Sequence, residues 1–198
     1  NVFSLAIAMQ NLIWGAAQPF TGALADKYGS KIVVSVGGVL YTIGLLLMAV
    51  SSTGWLLNLS VGLILGLALS ATSFSVLLSA VGRAAPPEKR SLAMGIASAA
   101  GSFGQFIMLP STLLLLQSVG WSGALIVSAI LITLIIPLAW MLKAPMYQNP
   151  NTISTSQPAL GFKQVLVITK NHKPFWFLAL GFFVCGFQVV FIGIHLPS

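Results

Sequence analysis

Residues 1–25, 32–82 and 91–142 contain no Asp, Glu, Lys or Arg, a pattern that constrains the fold more than any other feature of the chain. A helix of about 20 apolar residues spans a bilayer, and these stretches are long enough for several such spans. Only 6% of the residues are charged, 57% are hydrophobic and the mean hydropathy is +0.98, whereas a soluble domain carries roughly a quarter charged residues. The sequence therefore reads as an all-α polytopic membrane protein, with spans expected at about 1–25, 32–51, 55–82, 91–117, 121–142 and 174–197.

Nine Lys and Arg stand against Asp26 and Glu88, for a net charge of +7. The basic residues occupy alternate connections: Lys27 and Lys31 after the first span, Arg83, Lys89 and Arg90 after the third, and Lys143, Lys163, Lys170 and Lys173 after the fifth. Residues 51–54 and 117–120 carry none. By the positive-inside rule the charged connections face the cytoplasm. Trp55 and Trp121 at the outer ends, with Trp140 and Trp176 at the inner ends, fit belts at the two interfaces. No basic stripe runs along a helix, so the charge does not point to nucleic acid. The lone Cys185 offers neither a disulfide nor a metal framework. His172, His195 and Cys185 are too scattered for a catalytic centre, so no enzyme activity, cofactor or metal is expected.

In this orientation both ends of the chain lie outside. A chain without a cleaved signal starts inside, so one further helix is expected before Asn1, and the visible spans count as the second to seventh helices. Residues 143–173, with Pro145, Pro150, Pro158 and the polar run from Asn149 to Gln157, read as a cytoplasmic linker. It would separate a five-span half-bundle, 1–142, from the first helix of a second half, 174–198. Leu160, Val165, Leu166 and Ile168 beside Lys163 and Lys170 fit either a short helix on the membrane surface or a plain tether.

At the inner end of the first span stands Gly22-Ala-Leu-Ala-Asp26-Lys-Tyr-Gly29-Ser-Lys31. Gly22 would permit close helix approach and Gly29 a tight reversal, while Asp26 is a charge at a helix edge and Lys27 and Lys31 reach toward water. This G-x-L-A-D-x-x-G-x-K pattern resembles the signature between helices two and three of the major facilitator superfamily, the helix number that the charge pattern gives independently. Lys27 replaces the usual Arg, and Ser30 a basic residue. Pro86-Pro-Glu-Lys-Arg90-Ser-Leu-Ala-Met-Gly95, Ala100-Gly101-Ser-Phe-Gly104-Gln105 to Pro110, Gly120-Trp121 and His195-Leu-Pro197 are similar to the monocarboxylate and oxalate/formate branch in its bacterial form. Gly62 stands about where many drug antiporters of the superfamily place an intramembrane Arg, which makes a multidrug or other small-molecule exporter of the same superfamily the less favoured alternative.

The resemblance implies twelve helices in two halves, each a pair of inverted three-helix repeats, with a small solute bound near the midplane. This chain would then be a partial major-facilitator-type bundle: the N-terminal half without helix one, plus helix seven. The implied activity is secondary active transport, symport or antiport, of an organic anion such as a monocarboxylate, by a monomer in the bacterial inner membrane. A non-transporting receptor or scaffold is the alternative of another class.

Gln10, Trp14, Gln18 and Thr21 share one face of the first span, and Ser98, Ser102 and Gln105 one face of the fourth. Polar groups in hydrocarbon require partners, so both stripes suit either a cavity lining or contacts between helices. Thr72, Ser75 and Ser79 form a further hydroxyl face whose members can bond their own backbone, and Gln188 lies among Phe182, Phe183 and Phe187 on the last span. Ala97, Gly101 and Gly104 form a small-residue stripe for close helix approach. The spans hold no ionisable group at mid-depth, so proton coupling would have to use groups elsewhere. Rocker-type alternating access is the expected mechanism, with Asp26 latching the cytoplasmic side against Arg83 or Arg90.

Overall fold

The computed structural model describes residues 2–141 and 172–195. The chain divides into two units, Asn1–Gln148 and Asn149–Ser198. In the first, α1 covers Val2–Tyr28 and α2 Ser30–Ala49, joined at Gly29, whose φ of 92° only glycine adopts readily. The third span is composite: α3 (Gly54–Leu57), a π-helical segment (Asn58–Leu65), α4 (Gly66–Ala71) and α5 (Phe74–Ala84). A single turn of 3₁₀ helix at Pro87–Lys89 leads into α6 (Arg90–Thr133), followed by α7 (Ile135–Met141). In the second unit α8 covers Lys173–His195. The linker expected at 143–173 lies almost wholly outside the described residues, as do its suggested surface helix and Leu196 and Pro197.

A straight α6 would be about 66 Å long, over twice the hydrocarbon thickness. It is a hairpin, reversing at Gly120 with φ 72° and ψ −178°. The contacts on either side establish the direction of the two arms. Met94 lies beside Gly82 and Gly101 beside Phe74 on the rising arm. On the descending arm the Ser122 hydroxyl donates to the Ala49 carbonyl at 3.0 Å, Thr133 meets Thr42 at 3.2 Å, and Ile135 and Ile136 cover Gly38. Val2 packs against Gly54, so α1 starts where α2 ends. Five spans thus alternate in direction, with Lys27, Lys31, Arg83, Lys89 and Arg90 gathered at one end, which the positive-inside rule places in the cytoplasm. Trp55 and Trp121 stand at the other end, both exposed.

Lipid tails are as apolar as leucine, so packing between spans relies on close backbone approach at small residues. A Cβ on Gly37 would come within 2.8 Å of the Ala71 Cβ, and one on Gly44 within 2.7 Å of Leu65 Cδ2. Gly62 and Gly66, four apart, meet Met9 and the Gln10 carbonyl of α1, each at 3.1 Å from a would-be Cβ. These contacts close two apolar layers. Ala6, Leu45, Met48, Val61, Leu65 and Ala129 form the outer one, and Ala25, Val33, Val34, Ala71, Val76 and Ala139 the inner one.

Two expected close-approach sites, at Gly22 and at the Ala97–Gly101–Gly104 stripe, find no helix backbone opposite them within this unit. A Cβ at Gly22 or at Gly104 would meet nothing within 4 Å, and one at Gly101 would only touch Phe74 at 3.8 Å. Within this unit those faces do not oppose a helix backbone, and the close approaches fall on α2 and the third span instead.

The third span also departs from the continuous helix expected over 55–82. At Thr72 the Oγ1 donates to the Ala68 carbonyl at 2.9 Å, and Ser73 takes extended backbone angles, φ −63° and ψ 152°. Hydroxyl side chains compete in this way with the helical ladder. Non-helical backbone at membrane depth is tolerated where protein covers it, and Ser73 is buried. The break at Leu134 has a different cause, since the Pro137 ring cannot be accommodated against the Thr133 carbonyl four residues back.

Candidate functional site at the charged end of the bundle

Asp26 closes α1, Ser30 opens α2 and Arg83 lies in the last turn of α5. The reversal at Gly29, held by its N–H bonded to the Ala25 carbonyl at 3.0 Å, brings the first two together. Arg83 then bridges them: Nη1 donates to Asp26 Oδ1 at 2.7 Å and Nη2 to Ser30 Oγ at 2.7 Å. The planar guanidinium suits this fork, which a lysine could not make. Of the two bases expected to face Asp26, Arg83 does so; among the described residues Arg90 makes no ion pair. Ser30, which replaces the basic residue usual in the signature, accepts one arm of the fork.

The pair is open to solvent, with Asp26 70% and Arg83 41% exposed. Such pairs contribute roughly 0–1 kcal/mol, enough to bias a conformational balance without holding a fold together. Lys31, the last residue of the signature, places its ammonium 3.8 Å from the centre of the Trp140 ring at the end of α7, while Lys27 lies 5.1 Å from the Tyr28 ring. The Lys31–Trp140 contact ties the start of α2 to the end of the half-bundle. The network lines a groove of about 1160 Å³, with Asp26, Ser30, Lys31, Arg83 and Trp140 among its polar lining residues and Ile32, Val36 and Val81 among its apolar ones.

The polar stripes have different fates. On α1, Gln10, Trp14, Gln18 and Thr21 are all half-buried. Thr21 Oγ1 meets Ser70 Oγ at 2.8 Å and the Ser70 carbonyl at 3.2 Å, joining α1 to the third span at a fully buried serine. The Trp14 indole N–H is enclosed without a hydrogen-bond acceptor. On α6, Ser98 and Ser102 bond their own backbone at the Met94 and Ser98 carbonyls, and Ser102 and Gln105 are exposed. No hydrogen bond among the described residues joins this stripe to that of α1. Ser75 pairs with Ser73 at 2.9 Å. In the second unit Gln188 and its neighbouring phenylalanines are exposed.

Ser70, the π-helical segment and the Lys31–Trp140 pair escaped the sequence reading. The only signal for the first was the Ser70-Ala-Thr-Ser73 run of small hydroxyl residues. The partners of Ser70 and Lys31 are 49 and more than 100 positions away, beyond the reach of local spacing.

Apolar spans alternating in direction, with every described charge of the bundle gathered at one end, define a multi-pass α-helical membrane protein. The chain belongs to the Major Facilitator Superfamily, whose family model matches residues 1–198. It is 34% identical to human monocarboxylate transporter 11 over 125 residues, 63% of this chain and 25% of the relative. It is 34% identical to rat monocarboxylate transporter 13 over 135 residues, 68% of this chain and 30% of the relative. With rat monocarboxylate transporter 2 the identity is 31% over 196 residues, 92% of this chain and 39% of the relative. The chain thus spans about a quarter to two-fifths of the length of these curated relatives.

Proposed function

We propose that the protein is a secondary active transporter of a small organic anion, a monocarboxylate being favoured, working by alternating access. The observation that carries this reading is the 31% identity to a monocarboxylate transporter across 92% of the chain, together with the signature residues Gly22, Asp26, Gly29 and Lys31. Residues 1–142 serve as the N-terminal half-bundle, 143–173 as the interdomain linker and 174–198 as the first helix of the second half.

The Asp26–Arg83–Ser30 network acts as a cytoplasmic latch. It joins two helix ends to a third through one exposed guanidinium, so a tilt that separates α5 from the α1–α2 reversal breaks both hydrogen bonds at once. Gln10, Trp14 and Gln18 line the solute pathway. The spans described hold no carboxylate or cation at mid-depth, so proton coupling and direct anion pairing rest on groups outside them. The protein acts as a monomer in a plasma membrane. A bacterial inner membrane follows from the motif resemblance, although the relatives named above are mammalian.

The test is uptake of labelled monocarboxylates and dicarboxylates into proteoliposomes of the full-length protein, with and without an imposed pH gradient. Saturable, gradient-dependent uptake of a monocarboxylate is expected. No uptake of any acid by folded protein would overturn the reading and favour a non-transporting role.

A further inference from the structure

We infer that the groove beside the signature is a binding site for one anionic phospholipid of the cytoplasmic leaflet. The head group would lie at Lys31, Ser30 and Arg83, and one acyl chain along the outer face of α2. The inference needs only the membrane orientation and not the transport reading.

The first observation is the arrangement of the groove. Its polar edge carries Lys31, Arg83 and Trp140 together with Asp26, whose carboxylate is already engaged by Arg83, and its wall Ile32, Val36 and Val81. Charge sits at one end and hydrocarbon surface at the other, at the depth where head group gives way to acyl chain. Basic pockets between spans on the cytoplasmic side suit acidic lipid head groups.

The second is the continuation of that wall. Ile32, Val36, Val39, Ile43 and Leu46 recur at spacings of four and three, so they form one face of α2, and all are exposed, from 42% to 53%. The stripe runs the length of the span without a polar side chain. The opposite face of α2, with Val33, Val34, Gly37, Gly44, Leu45 and Met48, is the buried one. An acyl chain entering the groove at Ile32 and Val36 would therefore lie on apolar surface from the inner interface outward.

The third is unspent hydrogen-bonding capacity for a phosphodiester. The Lys31 ammonium offers three donors, and its contact with the Trp140 ring uses a face of the cation without consuming a hydrogen-bond acceptor. Ser30 Oγ accepts from Arg83 and still has its own O–H to give. Charge also selects the head group. Of the charged residues that line the groove, Lys31 and Arg83 outnumber Asp26, so a net-negative lipid is favoured over a zwitterionic one.

The experiment is native mass spectrometry of the protein in a nonionic detergent, titrated with dioleoylphosphatidylglycerol or dioleoylphosphatidylcholine. Preferential retention of one phosphatidylglycerol is expected. Lys31→Gln should weaken it about fivefold, the scale of one interfacial basic contact, and Lys31→Arg should restore it. Val36→Trp, at an exposed position, should block the groove and remove the bound lipid with no change of charge. Lys89→Gln, outside the groove, should leave binding unchanged. Equal retention of both lipids would overturn the proposal, as would a lipid count unaffected by both Lys31→Gln and Val36→Trp, which would mean the groove is filled by protein. Displacement of phosphatidylglycerol by inorganic phosphate would make this a soluble-anion site and would likewise overturn it.

Discussion

Arg83 reaches Asp26 across 57 positions of sequence, Nη1 to Oδ1 at 2.7 Å, and from the same guanidinium reaches Ser30 at 2.7 Å. One side chain of α5 therefore holds both sides of the α1–α2 reversal. The geometry matters more than the strength, because an exposed pair is worth at most about 1 kcal/mol.

Asp26→Asn should accordingly lower thermal stability by no more than about 1 kcal/mol. If the network is a latch, the same change should shift the balance between inward-open and outward-open states of the full-length protein by up to about fivefold. Labelling rates of single cysteines placed on the cytoplasmic face would measure that shift. Arg83→Lys should fall between wild type and Asp26→Asn, since an ammonium lacks the fork that spans two acceptors. An unchanged conformational balance in Asp26→Asn would rule the latch out.

Glycine substitutions should separate structural from permissive positions. Gly37→Ala and Gly44→Ala place a Cβ within 2.8 Å and 2.7 Å of neighbouring side-chain carbons, and overpacking of this kind costs about 1–3 kcal/mol. Gly22→Ala and Gly104→Ala meet nothing within 4 Å and should be neutral or slightly stabilising, because alanine favours helix over glycine. Thermal unfolding of the four variants in detergent would check this, and equal losses in all four would contradict the packing described.

Gly120→Ala probes the reversal in α6. With φ 72° and ψ −178°, the backbone there lies in a region almost confined to glycine, and a side chain costs about 1–3 kcal/mol. The neighbouring Gly123→Ala acts by a different route, since its Cβ would come within 2.9 Å of the Val119 Cβ. A loss of stability at position 120 that persists after Val119→Gly would identify backbone strain, whereas relief by Val119→Gly, which removes the clashing Cβ, is expected only for position 123.

Much of this was legible in residue types. Asp26, Gly29 and Lys31 stand out because their spacing is local and their chemistry is needed at a helix end: a charge, a positive φ and a side chain long enough to reach water. Ser30 looked like a departure from the signature, yet it receives the second arm of Arg83, and no local pattern could have paired them. Gly22 looked like a close-approach glycine because it lies in an apolar helix. Whether a helix glycine is opposed by another backbone depends on the rotation of its helix in the bundle, which one periodic face does not specify.

The sequence by itself determined that the chain crosses a membrane, about where the spans fall, and which end carries the charge. Those outcomes follow from the transfer of apolar side chains and the exclusion of charge from hydrocarbon, both properties of short segments taken one at a time. Tertiary structure decided the choice of Arg83 over Arg90, the seating of Lys31 on Trp140 and the Thr21–Ser70 contact. Each of these needs two segments distant in sequence to meet at one depth and one rotation, and that depends on how closely Gly37, Gly44, Gly62 and Gly66 allow the helix backbones to approach.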